Sequence, residues 1–190
     1  MVIVDGNREL AEDIARLIMR AMTLECCMYF CGEGHTPDDF LRVMTMLVGR
    51  DDSQYSYRNT LCAMEDGRLA GIIVAYDGGR LRELRKVFLE AAMNNWGKDH
   101  SAMPDETEAG EYYIDSLAVK PGYERRGIGT ALIRAAGDRA DALGLKLGLL
   151  MDDDNLQAET FYHKVGFRQV GTNSWGGHPM KHLVYGLREE

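Results

Sequence analysis

The sequence predicts an α/β protein in which strands alternate with helices along a single domain. Short apolar runs rich in β-branched and aromatic residues, bounded by glycine, proline or polar residues, are typical of strands, and residues 112–119 form such a run. Apolar residues three and four positions apart, as after Gly127, are typical of helices. A chain of 190 residues can bury a substantial core, so we expect one domain over residues 1–190.

The same patterns give the order of the elements along the chain. Strands are predicted over residues 1–4, 60–64, 69–76, 112–119, 146–151, 167–172 and 181–187. Helices are predicted over residues 7–24, 37–48, 79–94, 128–143 and 155–165. Thr36 suits the N-cap of the second helix, and Pro37 suits its first position. Asp66-Gly67 predicts a tight hairpin turn, whereas residues 26–34 and 95–110 are expected to be loops.

Composition limits the classes of partner. Acidic residues outnumber basic ones by 30 to 22, and the formal net charge of −8 argues against a nucleic-acid partner. The same surplus weakly favours a cationic substrate. No apolar run is as long as a membrane span, and the N-terminal residues lack the basic and apolar regions of a signal peptide. We therefore expect a cytoplasmic protein that does not bind a membrane.

The cysteine pattern predicts neither disulfides nor a metal site. The four cysteines are Cys26, Cys27, Cys31 and Cys62. A disulfide framework is not expected in a cytosolic chain. Three of them could be drawn with His35 as metal ligands, but the Cys-x-x-Cys pairs of zinc sites are absent. We expect thiols that line a helix end, and no metal.

A glycine-rich turn follows the strand predicted at residues 112–119. Gly127 and Gly129 lie where this turn opens a helix, after Arg125 and Arg126. The free N–H groups of a helix N-terminus and the positive end of its dipole bind anions, and glycines allow a phosphate to approach the backbone. The alternative is a tight strand-to-helix turn without a ligand. The turn lacks the lysine of a Walker A loop and the third glycine of a dinucleotide fingerprint.

Motifs on either side of the turn indicate a family. Apart from Glu124 at its first position, the turn fits the pattern Gln/Arg-x-x-Gly-x-Gly/Ala, and Leu-Ala-Val precedes it at residues 117–119. After it comes Asn155-x-x-Ala158-x-x-Phe161-Tyr162-x-x-x-Gly166-Phe167. In order and spacing, these motifs resemble the acyl-CoA-binding core of the GNAT superfamily of N-acetyltransferases. The predicted order β-α-α-β-β-α-β-α-β-α-β-β also resembles the GNAT fold, with an extra helix before the central strand.

The resemblance implies a fold and an activity. It implies an α/β fold with a mixed, mostly antiparallel twisted sheet and helices on both faces, in which the fourth and fifth strands splay apart around the pantetheine arm. The implied activity is transfer of an acetyl group from acetyl-CoA, as co-substrate, to a primary amine of a small molecule or peptide. The alternatives are a catalytically weak CoA-binding regulatory domain of the same fold and a structural module with a fortuitous turn. Dimers are common in the family, so a homodimer is also implied.

The resemblance assigns the cofactor-binding residues. Backbone groups of Leu117 and Val119 are expected to pair with pantetheine, and the Leu117 N–H is expected to polarise the thioester carbonyl. Ala118, between them, is also expected to be a cofactor-binding residue. The amides expected to hold the pyrophosphate belong to Arg125, Arg126, Gly127, Ile128, Gly129 and Thr130. Glu124 departs from the family pattern at the Gln/Arg position, so Arg125 and Arg126 are expected to offset its charge. Asn155 is expected to bind the CoA arm or to fix the helix start.

The resemblance makes Tyr162 the general acid. A tyrosine hydroxyl stays protonated at neutral pH and can donate to the leaving thiolate. Because Phe161 is adjacent, a packing tyrosine is the alternative interpretation. His163 is interpreted as an exposed helix histidine. Tyr162 is also expected to contact the cofactor.

The general base is less well defined. Some family members carry a glutamate where Tyr113 or Leu150 stands here. Asp115 is the expected substitute, on the same face of the strand as Tyr113 and Leu117. It could instead only orient the amine or bond a neighbouring loop, and Asp152 and Glu111 are alternatives. Acidic residues that lead into this strand are expected to attract a cationic amine, and they are Asp105, Glu106, Glu108 and Glu111.

Overall fold

The computed structural model describes residues 1–175 and 178–186, and these form one seven-stranded sheet. Its strands are β1 Val2–Asp5, β2 Thr60–Glu65, β3 Arg68–Asp77, β4 Glu111–Val119, β5 Lys146–Asp152, β6 Phe167–Trp175 and β7 His178–Tyr185. Their order across the sheet is β1-β2-β3-β4-β5-β7-β6. All neighbours are antiparallel except β4 and β5. The predicted mixed, mostly antiparallel sheet is therefore confirmed.

Helices cover both faces of the sheet, as predicted. In the described part of the chain they are α1 Ala11–Met22, α2 Leu24–Cys31, α3 Pro37–Val48, α4 Leu81–Trp96, α5 Ile128–Leu143 and α6 Leu156–Val165. Apolar residues of α1 to α4 form a core on one face, while α5 and part of α6 pack against the other. Of these helices, α4 is the extra one before the central strand.

Helix α2 corrects the sequence prediction, which made residues 26–34 a loop. The Thr23 side chain caps this helix by accepting the Cys26 N–H at 3.3 Å. Cys27, Phe30 and Cys31 are buried at the three- and four-residue spacing of a helix face. The prediction failed because the helix is short and its apolar face is made largely of cysteines.

Local turn and capping signals were read correctly. Thr36 and Asp39 form a reciprocal capping box at the start of α3. Asp66 and Gly67 both have positive φ, at 50° and 73°, as a tight two-residue hairpin turn requires. Strands β6 and β7 extend further toward their hairpin than predicted. Within that hairpin Gly176 and Gly177 lie outside the described residues, as does Leu187 at the end of the predicted last strand.

A β-bulge interrupts β4 at Asp115. Val74 pairs with Ser116 while Ala75 pairs with Ile114, which leaves Asp115 as the extra residue. Before the bulge, Tyr113 packs with α4; after it, Leu117 packs on the α5 face. The expectation that Leu117 shares a face with Tyr113 and Asp115 was therefore wrong, because a bulge reverses the alternation of side chains.

The segment between α4 and β4 is held to α4 by ion pairs. Arg85 and Glu106 have side chains only 5% and 6% exposed, and they hydrogen-bond each other. The Tyr76 hydroxyl donates to the same carboxylate at 3.3 Å. Asp105 lies 2.8 Å from Arg82 and 3.3 Å from Arg85. These two carboxylates are thus neutralised by α4, contrary to the expectation that they attract a cationic substrate.

Replacing Glu106 by Gln should destabilise the fold. It would leave the buried Arg85 with only the partly exposed Asp105 as its ion-pair partner, and breaking one partner of a buried ion pair costs about 3 kcal/mol or more. Glu108 lies two residues away and is exposed, so Glu108→Gln is a matched control that should change stability by less than about 0.5 kcal/mol. Urea denaturation of the two variants checks this, and equal midpoints would show that the pair contributes nothing.

Candidate active site

A gap opens in the sheet between β4 and β5. The two strands pair only from Glu111 with Lys146 to Ile114 with Leu149. Beyond that point β4 continues to Val119 along β3, and β5 continues to Asp152 along β7. The last residues of β4 therefore have a partner strand on one side only, and the predicted splaying of the fourth and fifth strands is confirmed.

The backbone of β4 presents polar groups to this gap. The Lys120 N–H donates to the Ala70 carbonyl of β3 at 2.8 Å. Since the hydrogen-bonding direction alternates along an antiparallel strand, Ala118 also faces β3, whereas Leu117 and Val119 face the gap. Leu117 and Val119 can therefore pair with an extended ligand as expected. Ala118 cannot, because its backbone is directed to β3 and its side chain is buried.

The glycine turn lies beyond the open end of β4. Gly127 is the N-cap of α5 with φ of 79°, and no side chain of the described residues caps this helix. The N–H groups in the first turn, those of Ile128, Gly129 and Thr130, therefore lie at the positive end of the helix dipole without a capping side chain. This arrangement suits the oxygens of a phosphate.

Charges around the turn differ from the expected pattern. The Glu124 carboxylate accepts the Gly122 N–H at 2.7 Å. Backbone N–H groups of Glu124 and Gly122 lower its pKa, with smaller effects from the cations Arg20 and Arg125. Arg126 does not help to offset that charge: it lies over the Tyr123 ring, 5.2 Å from its centre, and 3.5 Å from Glu65. Arg125, which is exposed, is the better placed arginine for a phosphate.

Gly129 has a packing role besides the expected one. A Cβ atom there would lie 3.1 Å from Cζ of Phe161, closer than side chains normally approach. The glycine therefore allows α6 to pack close to the first turn of α5. A larger residue at position 129 would displace Phe161, so its effect on a ligand could not be separated from its effect on packing.

Helix α6 positions Asn155 and Tyr162. The Asn155 side chain caps the helix by accepting the Ala158 N–H at 3.0 Å, which is one of its two expected roles. The Tyr162 ring packs at 5.3 Å from Phe161 and 5.3 Å from Phe167. Burial raises the pKa of Tyr162 to about 12, so the hydroxyl is fully protonated at neutral pH. Tyr162 is thus a packing residue whose hydroxyl carries a proton at neutral pH.

Asp115 is the bulged residue of β4, directly after the last residue that pairs with β5. Its Oδ2 atom is shielded from solvent and has no hydrogen-bond partner among the described residues. Burial raises its pKa from 3.8 to about 7, although the charge of Arg85 and a hydrogen bond with Gln54 lower it. A carboxyl that titrates near neutral pH can accept a proton from a substrate.

Other residues around Asp115 were not found by sequence reasoning. Gln54 is 2% exposed, and its Oε1 also lacks a partner among the described residues. Tyr55, Tyr76 and Tyr113 are buried nearby, where burial and the charge of Asp115 raise the pKa of each hydroxyl well above its usual value. Gln54 and Tyr55 belong to a segment that reads as a polar loop, and no local signal marks them as buried.

The alternative bases are less suitable. The Glu111 carboxylate accepts the Thr107 hydroxyl at 2.6 Å and lies 2.6 Å from His182 Nε2, whose pKa this contact raises. Asp152 is exposed at the end of β5. His163 lies on the exposed side of α6, 3.7 Å from Glu159.

Two further features bear on partners. Among the described residues, no group of histidine, cysteine, aspartate and glutamate side chains is arranged to hold a metal ion. No helix in residues 1–175 or 178–186 has the length and apolar character needed to cross a membrane. The four cysteines, all within the described residues, are free thiols.

Comparisons with known proteins agree with this geometry. The model of the Acetyltransferase (GNAT) family matches residues 20–167. An acetyltransferase crystal structure is 25% identical, covers 99% of this chain and 100% of its own, and superposes with a TM-score of 0.77. An N-acetyltransferase from Staphylococcus aureus Mu50 is 24% identical over 97% of this chain and 100% of its own, with a TM-score of 0.79.

A more distant structure shares the fold. PaiA N-acetyltransferase from Thermoplasma acidophilum, in complex with coenzyme A, is 16% identical over 97% of this chain and 98% of its own, with a TM-score of 0.55. No curated protein sequence matches the chain. Because the family model spans most of the sequence and the fold agrees, the chain belongs to the GNAT family of acetyltransferases.

Proposed function

We propose that the chain transfers an acetyl group from acetyl-CoA to a primary amine in the gap between β4 and β5. The observation that carries this proposal is the open side of β4, where the backbone of Leu117 and Val119 is free to pair with pantetheine. The uncapped first turn of α5 then holds the pyrophosphate. Arg125 adds positive charge beside it, and Asn155 holds the start of α6.

The acid and the base lie on opposite faces of the sheet. Tyr162 packs with the α5 face, whereas Asp115 lies with Tyr113 on the α4 face. The gap lies between them, and Tyr162 is close enough to Tyr113 to contribute to the raised pKa of that residue. An amine that enters from the α4 face can therefore meet a thioester held from the α5 face.

The reaction requires two proton transfers. The neutral amine nitrogen bonds to the thioester carbon, and Asp115 takes the proton that this nitrogen gives up, directly or through a water, as the tetrahedral intermediate forms. The Leu117 N–H stabilises the negative charge that develops on the carbonyl oxygen. As the tetrahedral intermediate collapses, the C–S bond breaks and Tyr162 donates its proton to the thiolate. The amine proton on Asp115 is released to solvent, and Tyr162 is reprotonated.

A catalytically weak CoA-binding domain is the second candidate. Tyr113 and Leu150, which stand where other members carry glutamates, pack together in an apolar cluster with α4. Without those glutamates, Asp115 is the group that must act as the general base. Release of free CoA from acetyl-CoA over a panel of primary amines distinguishes the two candidates, because a regulatory domain would bind acetyl-CoA without turnover. A cytoplasmic location, a single domain over residues 1–190 and a homodimer stay predictions of the sequence.

Arg125→Ala should weaken coenzyme A binding by about tenfold, since a charge-assisted contact contributes about 1.5 kcal/mol. Arg134 is an exposed arginine further along α5, so Arg134→Ala is the control and should bind normally. Calorimetry with coenzyme A at low and high salt measures both variants. If the two variants bind coenzyme A with equal affinity, the pyrophosphate does not lie beside Arg125.

Tyr162→Phe should lower turnover by about a hundredfold, because it removes only the hydroxyl that protonates the thiolate. The ring packing against Phe161 and Phe167 is retained, so thermal stability should not change much. Coenzyme A affinity, measured by calorimetry, should also be preserved. Turnover close to that of the parent would mean that the thiolate leaves without Tyr162.

Asp115→Asn should remove a pH-dependent step. The base acts only when ionised, so kcat/KM of the parent should rise with pH through about 7 and then level off. A weakly basic acceptor such as 2,2,2-trifluoroethylamine keeps the amine neutral near that pH, which isolates the enzyme group. The Asn variant should be slow and lack this rise. An unchanged profile in the variant would assign the titration to another group.

A further inference from the structure

A cavity of about 220 Å³ lies between α2, the segment after α4 and the end of β6. Its aromatic lining residues are Tyr29, Phe30, His100 and Trp175, with Met103 and Asp99 beside them. Nothing in the proposed mechanism uses this cavity. Its volume suits a group about the size of a single aromatic ring with its substituents.

The aromatic rings are held around Phe30. Its ring centre lies 5.5 Å from that of Tyr29, 5.2 Å from that of His100 and 5.7 Å from that of Trp175. His100 Nε2 lies 2.9 Å from the Phe30 carbonyl oxygen. Since a carbonyl oxygen only accepts, Nε2 carries the hydrogen and the imidazole ring is fixed in orientation. The wall of the cavity is thus pre-formed.

A ligand could add contacts to two side chains of the cavity wall. The Tyr29 side chain is 62% exposed although it lies against an aromatic cluster. Trp175 Nε1 is shielded from solvent and has no acceptor among the described residues. A planar ligand would cover the Tyr29 side chain and could supply an acceptor oxygen to Trp175 Nε1. Such surfaces prefer edge-to-face or offset contact with another ring.

The charges of the cavity favour an apolar ligand over a polycation. Asp99 is the carboxylate of the lining, and its Oδ1 already accepts the Ser101 N–H at 2.9 Å. The nearby carboxylates of Asp105 and Glu106 are paired with Arg82 and Arg85. A polyamine would therefore find no second unpaired carboxylate among these residues.

Helix α2 links the cavity to the reacting carboxyl. Cys26 lies near Asp115: burial, Cys27 and the charge of Asp115 together raise the pKa of its thiol to about 12. Phe30 follows four positions later on the same helix, which is about 6 Å along its axis. Arg85 gives a second link, because its Nη1 donates to the carbonyl oxygen of the lining residue Met103 at 3.3 Å while its charge acts on Asp115. A short alkyl chain is similar in length to the helix rise, so a ring in the cavity and a nitrogen near Asp115 suit the two ends of one small molecule.

We propose that the cavity holds the non-reacting end of the acceptor and that the acceptor is an arylalkylamine, a primary amine joined by a short alkyl chain to an aromatic ring. This inference rests on the proposed acetyl transfer at the gap. It selects one substrate class among the amines that the family resemblance leaves open.

Steady-state kinetics with matched amines test the proposal. With saturating acetyl-CoA, kcat/KM for 2-phenylethylamine should exceed that for n-butylamine and for putrescine by about tenfold or more, the discrimination an apolar pocket can supply. Tyr29→Ala and Trp175→Ala should abolish most of this preference by lowering kcat/KM for 2-phenylethylamine. Leu24→Ala, at an exposed position of the same helix, is the control and should leave the preference intact.

Direct binding separates failure of this inference from failure of acetyl transfer. Titration of the parent with 2-phenylethylamine should change tryptophan fluorescence, and Trp175→Phe should remove most of that change. If no amine is acetylated but this signal is present, the transfer is overturned and the cavity assignment is supported. If amines are acetylated with putrescine or n-butylamine preferred, or if 2-phenylethylamine gives no signal, the arylalkylamine assignment is overturned.

Discussion

The functional part of the structure depends on the point at which β4 and β5 stop pairing. After Ile114 and Leu149 the two strands diverge, so one side of a central strand keeps unpaired N–H and C=O groups. Buried backbone groups of this kind need a partner, and an extended ligand can supply it. The glycine turn follows the same strand directly, so the strand that offers hydrogen bonds also directs a helix N-terminus toward the phosphate end of that ligand.

The bulge at Asp115 gives the same strand a second function. A regular β4 would alternate through this point and bring Leu117 onto the α4 face. The extra residue instead lets Asp115 lie on the α4 face while Leu117 packs on the α5 face. In the proposed reaction, acceptor chemistry and cofactor binding are thereby separated onto two sides of one strand. Bulges near functional sites commonly re-aim side chains in this way.

The sequence predicted features that depend on residues close together in the chain. It could not predict features that depend on residues far apart in the chain. Thr36 and Asp66-Gly67 act on residues a few positions away, so their patterns were sufficient. The bulge depends on the register of β3, and the burial of Gln54 depends on distant helices. The pairing of Glu106 with Arg85 joins residues 21 positions apart. An acidic run therefore resembled a substrate entrance although its charge is mostly neutralised inside the fold.

Arg85 connects these observations. It neutralises Glu106 and Asp105, and it opposes the rise in the pKa of Asp115 caused by burial. The same contacts anchor the segment that carries Asp99, His100 and Met103, which line the aromatic cavity. One buried cation thus fixes the cavity wall and tunes the carboxyl beside the gap. Because both effects come from a single side chain, the shape of the cavity and the ionisation of Asp115 are coupled, and changes in the segment after α4 will alter the two together.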